Sequence, residues 1–267
     1  MGPSFLQVFL FEVIFATVLF GLFARTFFRS IRPTKISQWV GLFAIGIDTI
    51  AVGYFLFLAF SLGPVAIGAT LMFMYLPVVY AYSLLAGHQS FSIKKLASIC
   101  LILLGAVLTT EILSSFQEPG ALPAVFAALA ASMGYAIVFI LTPSVAKYTT
   151  PVFRSFAASA IGLIGSLIIL LFMPNLWFPL EGNLWPVLGI ALVLGVIGQT
   201  LPVITLMKGL PITGSSLGGV LASIELPIAV VSAALLLGES LNLLKLAGVA
   251  LVLLGIVFYN LSDRDRV

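Results

Sequence analysis

Nine long apolar segments determine what this chain of 267 residues can fold into. Each is close to the length of roughly 20 residues that an α-helix needs to cross a hydrocarbon layer of about 30 Å. The strands of a membrane β-barrel would be about 10 residues long and would alternate strictly. We therefore predict an all-α polytopic membrane protein with nine transmembrane helices. The segments lie at 5–24, 39–60, 65–86, 93–113, 122–142, 152–173, 184–206, 215–237 and 243–261.

The composition excludes several classes of protein. Hydrophobic residues make up 61% of the chain and charged residues only 8%, whereas about 25% of the residues in a soluble globular protein are charged. One cysteine and one histidine exclude a disulfide framework and a cysteine-based metal cluster, and they argue against histidine-dependent catalysis. The net charge of +3 is too small for a nucleic-acid-binding surface. We predict no enzymatic activity, no cofactor and no bound metal.

The distribution of charge predicts the orientation in the membrane. If the connection after the first segment is cytoplasmic, only Lys245 of the 12 Lys and Arg residues lies outside. This satisfies the positive-inside rule and places the C-terminus in the cytoplasm, with the protein in the plasma (inner) membrane. The cytoplasmic residues are then Arg25, Arg29, Arg32, Lys35, Lys94, Lys95, Lys147, Arg154, Lys208, Arg264 and Arg266. The outer loops hold Glu111, Glu118, Glu181 and Glu239.

The chain contains an internal duplication with an offset of 150 residues. Twelve of the 33 positions in 76–108 are identical to their partners, including Pro77 with Pro227 and Lys95 with Lys245. The third and fourth segments thus correspond to the eighth and ninth, and Pro3-Ser4-Phe5 aligns with Pro151-Val152-Phe153. Because equivalent segments are five apart, they cross the membrane in opposite directions, as in inverted repeats.

The fifth segment has no counterpart, so the repeats contain four and five helices. We expect the first repeat at 1–113, the second at 120–261 and a cytoplasmic tail at 262–267. We also expect that the sequence starts late and lacks the first helix of a 5 + 5 fold; a genuine nine-helix protein is the alternative.

Several short motifs resemble those of the EamA-type transporters of the drug/metabolite transporter superfamily. In the second repeat they are Glu225-Leu226-Pro227, Leu237-Gly238-Glu239-Ser240, and Leu246-Ala247-Gly248 through Gly255. The first repeat echoes them in Leu76-Pro77, Gly87-His88-Gln89-Ser90, and Leu96 through Gly105. The resemblance implies two inverted five-helix repeats around a central cavity, and a secondary transporter of small metabolites or drug-like solutes. These motifs specify the fold well and the substrate poorly.

Pro77 and Pro227 mark the expected helix breaks. Each lies near the middle of its segment, removes one backbone hydrogen bond, and frees the carbonyl four residues earlier, at Phe73 and Ser223. In hydrocarbon such carbonyls need partners, so paired breaks in inverted repeats indicate a binding cavity. A kink that serves only packing is the alternative.

Glu225 is the sharpest candidate for a substrate contact. A charge in the middle of a membrane span costs several kcal/mol unless it is paired or hydrated. We predict that Glu225 faces a cavity, where it binds a cationic group or carries a proton. A protonated carboxyl that holds two helices together is the alternative.

Six further residues complete the predicted site, all of them polar groups near the middle of a span. They are Ser223, Tyr75, Asp48, Tyr54, Tyr135 and Gln199. For Asp48 a hydrogen bond between helices is an equal alternative, and Tyr135 and Gln199 taken singly are often contacts between helices. The resemblance implies that the first segment is peripheral, so we expect Glu12, also mid-span, to lie at a helix–helix or lipid-facing surface; a substrate contact is the alternative.

Alternating access around this site is the predicted mechanism, with export as the favoured direction. The sequence has no phosphate-binding loop of the form GxxxxGK[ST], so facilitated exchange and proton coupling stay open as driving forces. The partners are a small-molecule substrate and the lipid bilayer. The alternatives are a carrier or flippase of a lipid-linked amphiphile, and a membrane protein with a structural or sensory role.

Overall fold

The structure, a computed structural model, describes residues 5–27, 35–118, 120–172, 184–238 and 240–264. All regular secondary structure in these residues is helical. A 3₁₀ turn (Ala146–Tyr148) follows α7, and a π-helical segment (Leu194–Thr200) joins α9 to α10. The α-helices are α1 (Phe5–Phe27), α2 (Ile36–Leu62), α3 (Val65–Met72), α4 (Tyr75–Leu85), α5 (Ile93–Thr110), α6 (Ile112–Ser115), α7 (Ala121–Val145), α8 (Pro151–Phe172), α9 (Leu184–Val193), α10 (Leu201–Thr213), α11 (Ser215–Ala222), α12 (Glu225–Leu237) and α13 (Leu243–Arg264).

The helices confirm the polytopic membrane fold. Eight helical stretches in the described residues are long and apolar enough to cross a bilayer, and a shorter apolar stretch, Val8–Phe23, lies within α1. Large apolar side chains cover the outer surface; Leu85 is 89% exposed and Leu235 is 80% exposed. Such a surface is suited to lipid and not to water. Several residues of the charge pattern lie outside the described residues: Arg29, Arg32, Glu181, Glu239 and Arg266.

The third and eighth predicted segments are each built from two helices with a short break between them. The breaks fall at residues 73–74 and 223–224, a few residues before each proline rather than at it. Helix α11 begins and ends 150 residues after α3, α12 begins 150 residues after α4, and α13 begins 150 residues after α5. The duplication in the sequence is thus repeated in the bounds of the helices.

Helices α5 and α13 pack against each other through small residues that the offset relates. A methyl group added at Gly105 would lie 2.6 Å from the carbonyl oxygen of Gly248. One added at Gly255 would lie 2.8 Å from the carbonyl oxygen of Ser98. Because 98 and 105 correspond to 248 and 255, the two contacts are equivalent, as a pseudo-twofold axis between these helices requires. Small residues allow such close approach of helices in a membrane.

Helix α7 lies at the centre of the bundle, packed against α2, α3 and α4. It is rich in buried alanines, including Ala124, Ala128 and Ala131, which allow its neighbours to approach. The largest core cluster joins α4, α5 and α7 to residues of α11, α12 and α13. This packing holds the two halves of the chain together around a cavity.

Candidate functional site

A cavity of about 920 Å³ opens within the helix bundle. Its walls come from α1, α2, α3, α7, α8, α10, α11 and α12, together with the π-helical segment. Most of the lining is apolar. The polar or ionisable side chains that line it are Glu12, Thr49, Tyr135, Ser155, Ser159, Gln199, Thr205, Thr213 and Glu225.

Glu225 lies on the cavity wall. It is the first residue of α12 and follows the break at 223–224 directly. Its side chain is exposed, and that surface faces the cavity. A carboxylate in the first turn of a helix is stabilised by the partial positive charge of the helix N-terminus. The break therefore places an acidic group at a favourable position on the wall.

Glu12, in helix α1 near the start of the chain, lines the same cavity as Glu225. Its side chain is 8% exposed, and a methyl group added at Gly198 would lie 4.0 Å from its Oε1 atom. The π-helical segment packs closely here, because a methyl at Gly195 would lie 3.2 Å from the carbonyl oxygen of Glu12. Glu12 thus lies at the contact between α1 and the π-helical segment, as the helix–helix expectation has it, and it also lines the cavity.

Tyr135 and Gln199 also line the cavity. Tyr135 stands edge-on to Phe139 of the same helix, with ring centroids 5.0 Å apart. Gln199 belongs to the π-helical segment, a form of helix that often occurs at functional sites. Of the seven predicted substrate contacts, the structure thus brings Glu225, Tyr135 and Gln199 to one cavity.

Tyr75 and Ser223 lie outside the cavity lining, and both are fully buried. The Tyr75 hydroxyl donates to the carbonyl oxygen of Gly219 at 2.8 Å, and its ring stacks on Phe139 with centroids 4.9 Å apart. The Ser223 hydroxyl donates to the carbonyl oxygen of Val220 at 2.6 Å. Tyr75 therefore connects α4 to α11 within the core, whereas the Ser223 hydroxyl bonds within the last turn of α11.

Asp48 and Tyr54 on α2 are likewise absent from the lining. A methyl group added at Gly134 of α7 would lie 2.9 Å from Asp48 Oδ1, so this carboxyl lies at the α2–α7 contact. Its Oδ2 atom is buried and has no hydrogen-bond partner among the described residues. Tyr54 packs against the cluster of α1 residues that includes Phe9. The periodicity of α2 turns both residues away from the cavity.

Pro77 and Pro227 do not line the cavity, and the carbonyls that they free have local partners. The amide of Leu76 donates to the carbonyl oxygen of Phe73 at 3.0 Å. The amide of Leu226 donates to that of Ser223 at 3.2 Å. Each short turn supplies the hydrogen bond that the proline removes, so the breaks need neither water nor ligand to be stable.

The two repeats differ most at the equivalent positions Tyr75 and Glu225. Phe139 of α7 stacks on Tyr75, whereas Glu225 is exposed to the cavity. The fifth predicted segment, which became α7, is the one without a counterpart in the first repeat. The same position in the two copies is therefore a core contact in one and a cavity wall in the other.

The chemistry of the lining is acidic and apolar. Glu12 and Glu225 are its ionisable carboxyls, and no Lys, Arg or His is among the described residues that line it. In the same part of the chain no group of three or more His, Cys, Asp or Glu side chains could hold a metal ion. The sequence analysis named Glu12 but did not include it among the substrate contacts, although its position in mid-span, where charge is costly, is the signal that identified Glu225.

Comparison with known proteins adds a family and a fold. A family profile described as the EamA-like transporter family matches residues 122–261, more than half of the chain. A solved structure described only as "Crystal structure of protein" is similar over 99% of this chain and 90% of its own, with a TM-score of 0.75 and 18% sequence identity. At that identity the likeness shows the fold alone. A comparison with curated proteins finds no match.

Proposed function

Because this chain belongs to the EamA-like transporter family, it is a membrane transporter, and we propose that it moves small metabolites or drug-like solutes by alternating access without ATP hydrolysis. The cavity that contains Glu225 is the proposed binding site. The observation that carries the proposal is that residues from both halves of the chain line one cavity of about 920 Å³.

The size and the position of the cavity support this function. Sites for drug-sized ligands usually measure about 300–1,000 Å³ and are mostly apolar with a few polar groups. Here the polar groups come from α1 and α2 in the first half and from α7, α8, α10, α12 and the π-helical segment in the second. A ligand between the two halves can be exposed to either side when one half tilts against the other.

We propose that the halves are inverted repeats at 1–113 and 120–261, with a tail at 262–267. Helices α3, α4 and α5 begin 150 residues before α11, α12 and α13, and this equal offset supports the division. The paired glycine contacts of α5 with α13 support it as well. Residues 1–4, 28–34, 173–183, 239 and 265–267 within these bounds lie outside the described residues. We further propose export across the plasma membrane, a cytoplasmic C-terminus, and facilitated exchange or proton coupling as the driving force.

Uptake into proteoliposomes tests the function. The panel contains neutral amino acids, polyamines, a quaternary ammonium dye and a nucleoside, and the proteins are the wild type, Glu225→Gln and Asp48→Asn. We expect at least one solute to accumulate above empty liposomes. Glu225→Gln removes the charge from the cavity wall and should lower that uptake about tenfold or more, because charges in a poorly hydrated site interact strongly.

Asp48→Asn is the matched control, since it makes the same chemical change at a carboxyl outside the cavity lining. Its uptake should stay within about twofold of the wild type, as expected for a group that contacts no substrate. If folded wild-type protein moves no solute of the panel above empty liposomes, the proposal of a small-solute transporter fails.

A further inference from the structure

Two carboxyl groups from opposite halves of the chain share the cavity, and this arrangement points to the class of substrate. The inference rests on the proposed function and narrows it. Glu12 belongs to α1 and Glu225 to α12, and both line the same space. The described part of the lining holds no Lys, Arg or His that could neutralise them.

Glu12 is the more constrained of the two groups. It is more than nine-tenths buried, yet it lines the cavity. It has neither a hydrogen-bond partner nor an ion-pair partner among the described residues. A carboxylate in a low-dielectric site is stable only when an opposite charge or several donors lie close to it. The described residues supply none here, so the charge of Glu12 is balanced either by a proton or by a cation in the cavity.

Glu225, like Glu12, has no positively charged partner in the part of the chain that the structure describes. Its side chain is exposed to the cavity, and the structure gives it no ion-pair partner. Two carboxyls in one apolar space disfavour each other's ionised form, and a bound cation offsets that repulsion as a proton would. An anion would be repelled by both.

Aromatic side chains on the same wall favour an organic cation over a small inorganic one. Phe9 and Phe57 line the cavity with ring centroids 5.3 Å apart, and Tyr135 and Phe20 line it as well. The faces of aromatic rings attract cations whose charge is spread over carbon groups. An inorganic ion would instead need several oxygen ligands at fixed positions.

We infer that the cavity binds a lipophilic organic monocation, with Glu12 and Glu225 as the carboxylates that recognise its charge from the two halves of the protein. Glu12 is thus a binding residue of the site. The apolar lining accommodates the body of the ligand, and the volume of about 920 Å³ allows a drug-sized molecule.

Equilibrium binding to the purified full-length chain in detergent tests this inference. The probes are tetraphenylphosphonium and tetraphenylborate, two ions with the same shape and opposite charge. The wild type should bind the cation and not the anion. Glu12→Gln and Glu225→Gln should each weaken binding of the cation about tenfold or more. Asp48→Asn should leave it within about twofold of the wild-type value.

Modification of the wild type with dicyclohexylcarbodiimide gives a second measurement that needs no variant. Mass spectrometry follows labelling of the three carboxyls Glu12, Asp48 and Glu225, with and without tetraphenylphosphonium. We expect the cation to protect Glu12 and Glu225 and to leave labelling of Asp48 unchanged. This measurement tests whether the cation binds at Glu12 and Glu225 even if a glutamine variant does not fold.

Several results would overturn the inference: equal binding of both probes, no binding of the cation, an unchanged affinity in Glu12→Gln, or no protection of the two glutamates. Its failure is distinguishable from failure of the proposed function. Uptake of neutral solutes without binding of the cation would reject the cation site and keep the transporter. Binding of the cation without uptake of any solute would reject the transport function and keep the cation site.

Discussion

Arg154 donates a hydrogen bond to the carbonyl oxygen of Met207, the carbonyl that Pro211 leaves without its usual amide donor. Arg154 is fully buried, and its other contacts are the Thr149 hydroxyl at 2.8 Å, the Thr149 carbonyl oxygen and the Met207 sulfur. All these partners are neutral. The guanidinium therefore joins the start of α8 to the proline-containing end of α10.

This relationship predicts coupling between Arg154 and Pro211. Arg154→Met leaves the carbonyl of Met207 without a donor, and a buried unpaired group costs about 1–3 kcal/mol. Alanine at position 211 restores an amide to that carbonyl, so Arg154→Met should cost about 1 kcal/mol less in the Pro211→Ala background. Thermal unfolding of the four proteins in detergent measures this difference.

The matched control is Pro143→Ala, which restores an amide within α7, where Arg154 makes no recorded contact. The cost of Arg154→Met should be the same with and without this change. If the effects of Arg154→Met and Pro211→Ala simply add, the hydrogen bond does not replace the one that proline removes.

Tyr75 and Tyr135 should respond differently to loss of the hydroxyl. Tyr75→Phe removes the buried hydrogen bond to Gly219 and leaves its carbonyl oxygen unpaired, so the free energy of unfolding should fall by about 1 kcal/mol or more. Because Tyr75 is outside the cavity lining, the affinity for a transported solute should not change.

Tyr135→Phe alters the cavity wall and should change affinity with little loss of stability. Thermal unfolding together with solute binding on both variants separates the two effects, and a reversed pattern would contradict the placement of these rings.

The close contacts of Gly105 and Gly255 predict equal sensitivity on α5 and α13. A methyl group at either position would meet a carbonyl oxygen at under 3 Å, so the helices would have to separate. Gly105→Ala and Gly255→Ala should each lower the free energy of unfolding by about 1–3 kcal/mol. Gly189→Ala on α9 is the control, since a methyl group there meets nothing within 4 Å. Midpoints of thermal unfolding measure all three, and a tolerant Gly105 with a sensitive Gly255 would contradict the pseudo-twofold arrangement.

Lys95 and Asp263 form an ion pair between α5 and α13 in which the lysine is buried. The Lys95 ammonium also donates to Gln89 Oε1 at 2.9 Å and lies 5.2 Å from the centre of the Tyr259 ring. Asp263→Asn leaves the buried charge with weaker partners. The loss should be about 1–2 kcal/mol, less than for a fully buried pair, because Asp263 is 38% exposed.

A double-mutant cycle of Asp263→Asn with Lys95→Met checks this prediction by thermal unfolding. Once Lys95 is replaced, Asp263→Asn should cost little, which gives a coupling of about 0.5 kcal/mol or more. Independent effects of the two changes would show that the pair contributes nothing measurable to stability.

The helices and their duplication followed from local properties of the sequence. A run of about 20 apolar residues can satisfy its backbone in a bilayer only as a helix, so all nine predicted segments are helical where the structure describes them. Matches such as Pro77 with Pro227 gave an offset of 150 residues, and the same offset separates the bounds of α3 and α11. The prolines indicated where these helices break to within a few residues.

The membership of the site was decided by tertiary structure. Glu12, Asp48 and Glu225 look alike in sequence, each an acidic residue in an apolar span, yet Glu12 and Glu225 share the cavity and Asp48 packs at the α2–α7 contact. Tyr75 and Glu225 occupy equivalent positions, yet only Tyr75 is covered by α7. Hydrophobicity places a residue at a depth in the membrane, whereas the direction it faces depends on how each helix is rotated against its neighbours. That rotation is set by contacts between residues far apart in the chain, which the spacing of residues within one helix does not specify.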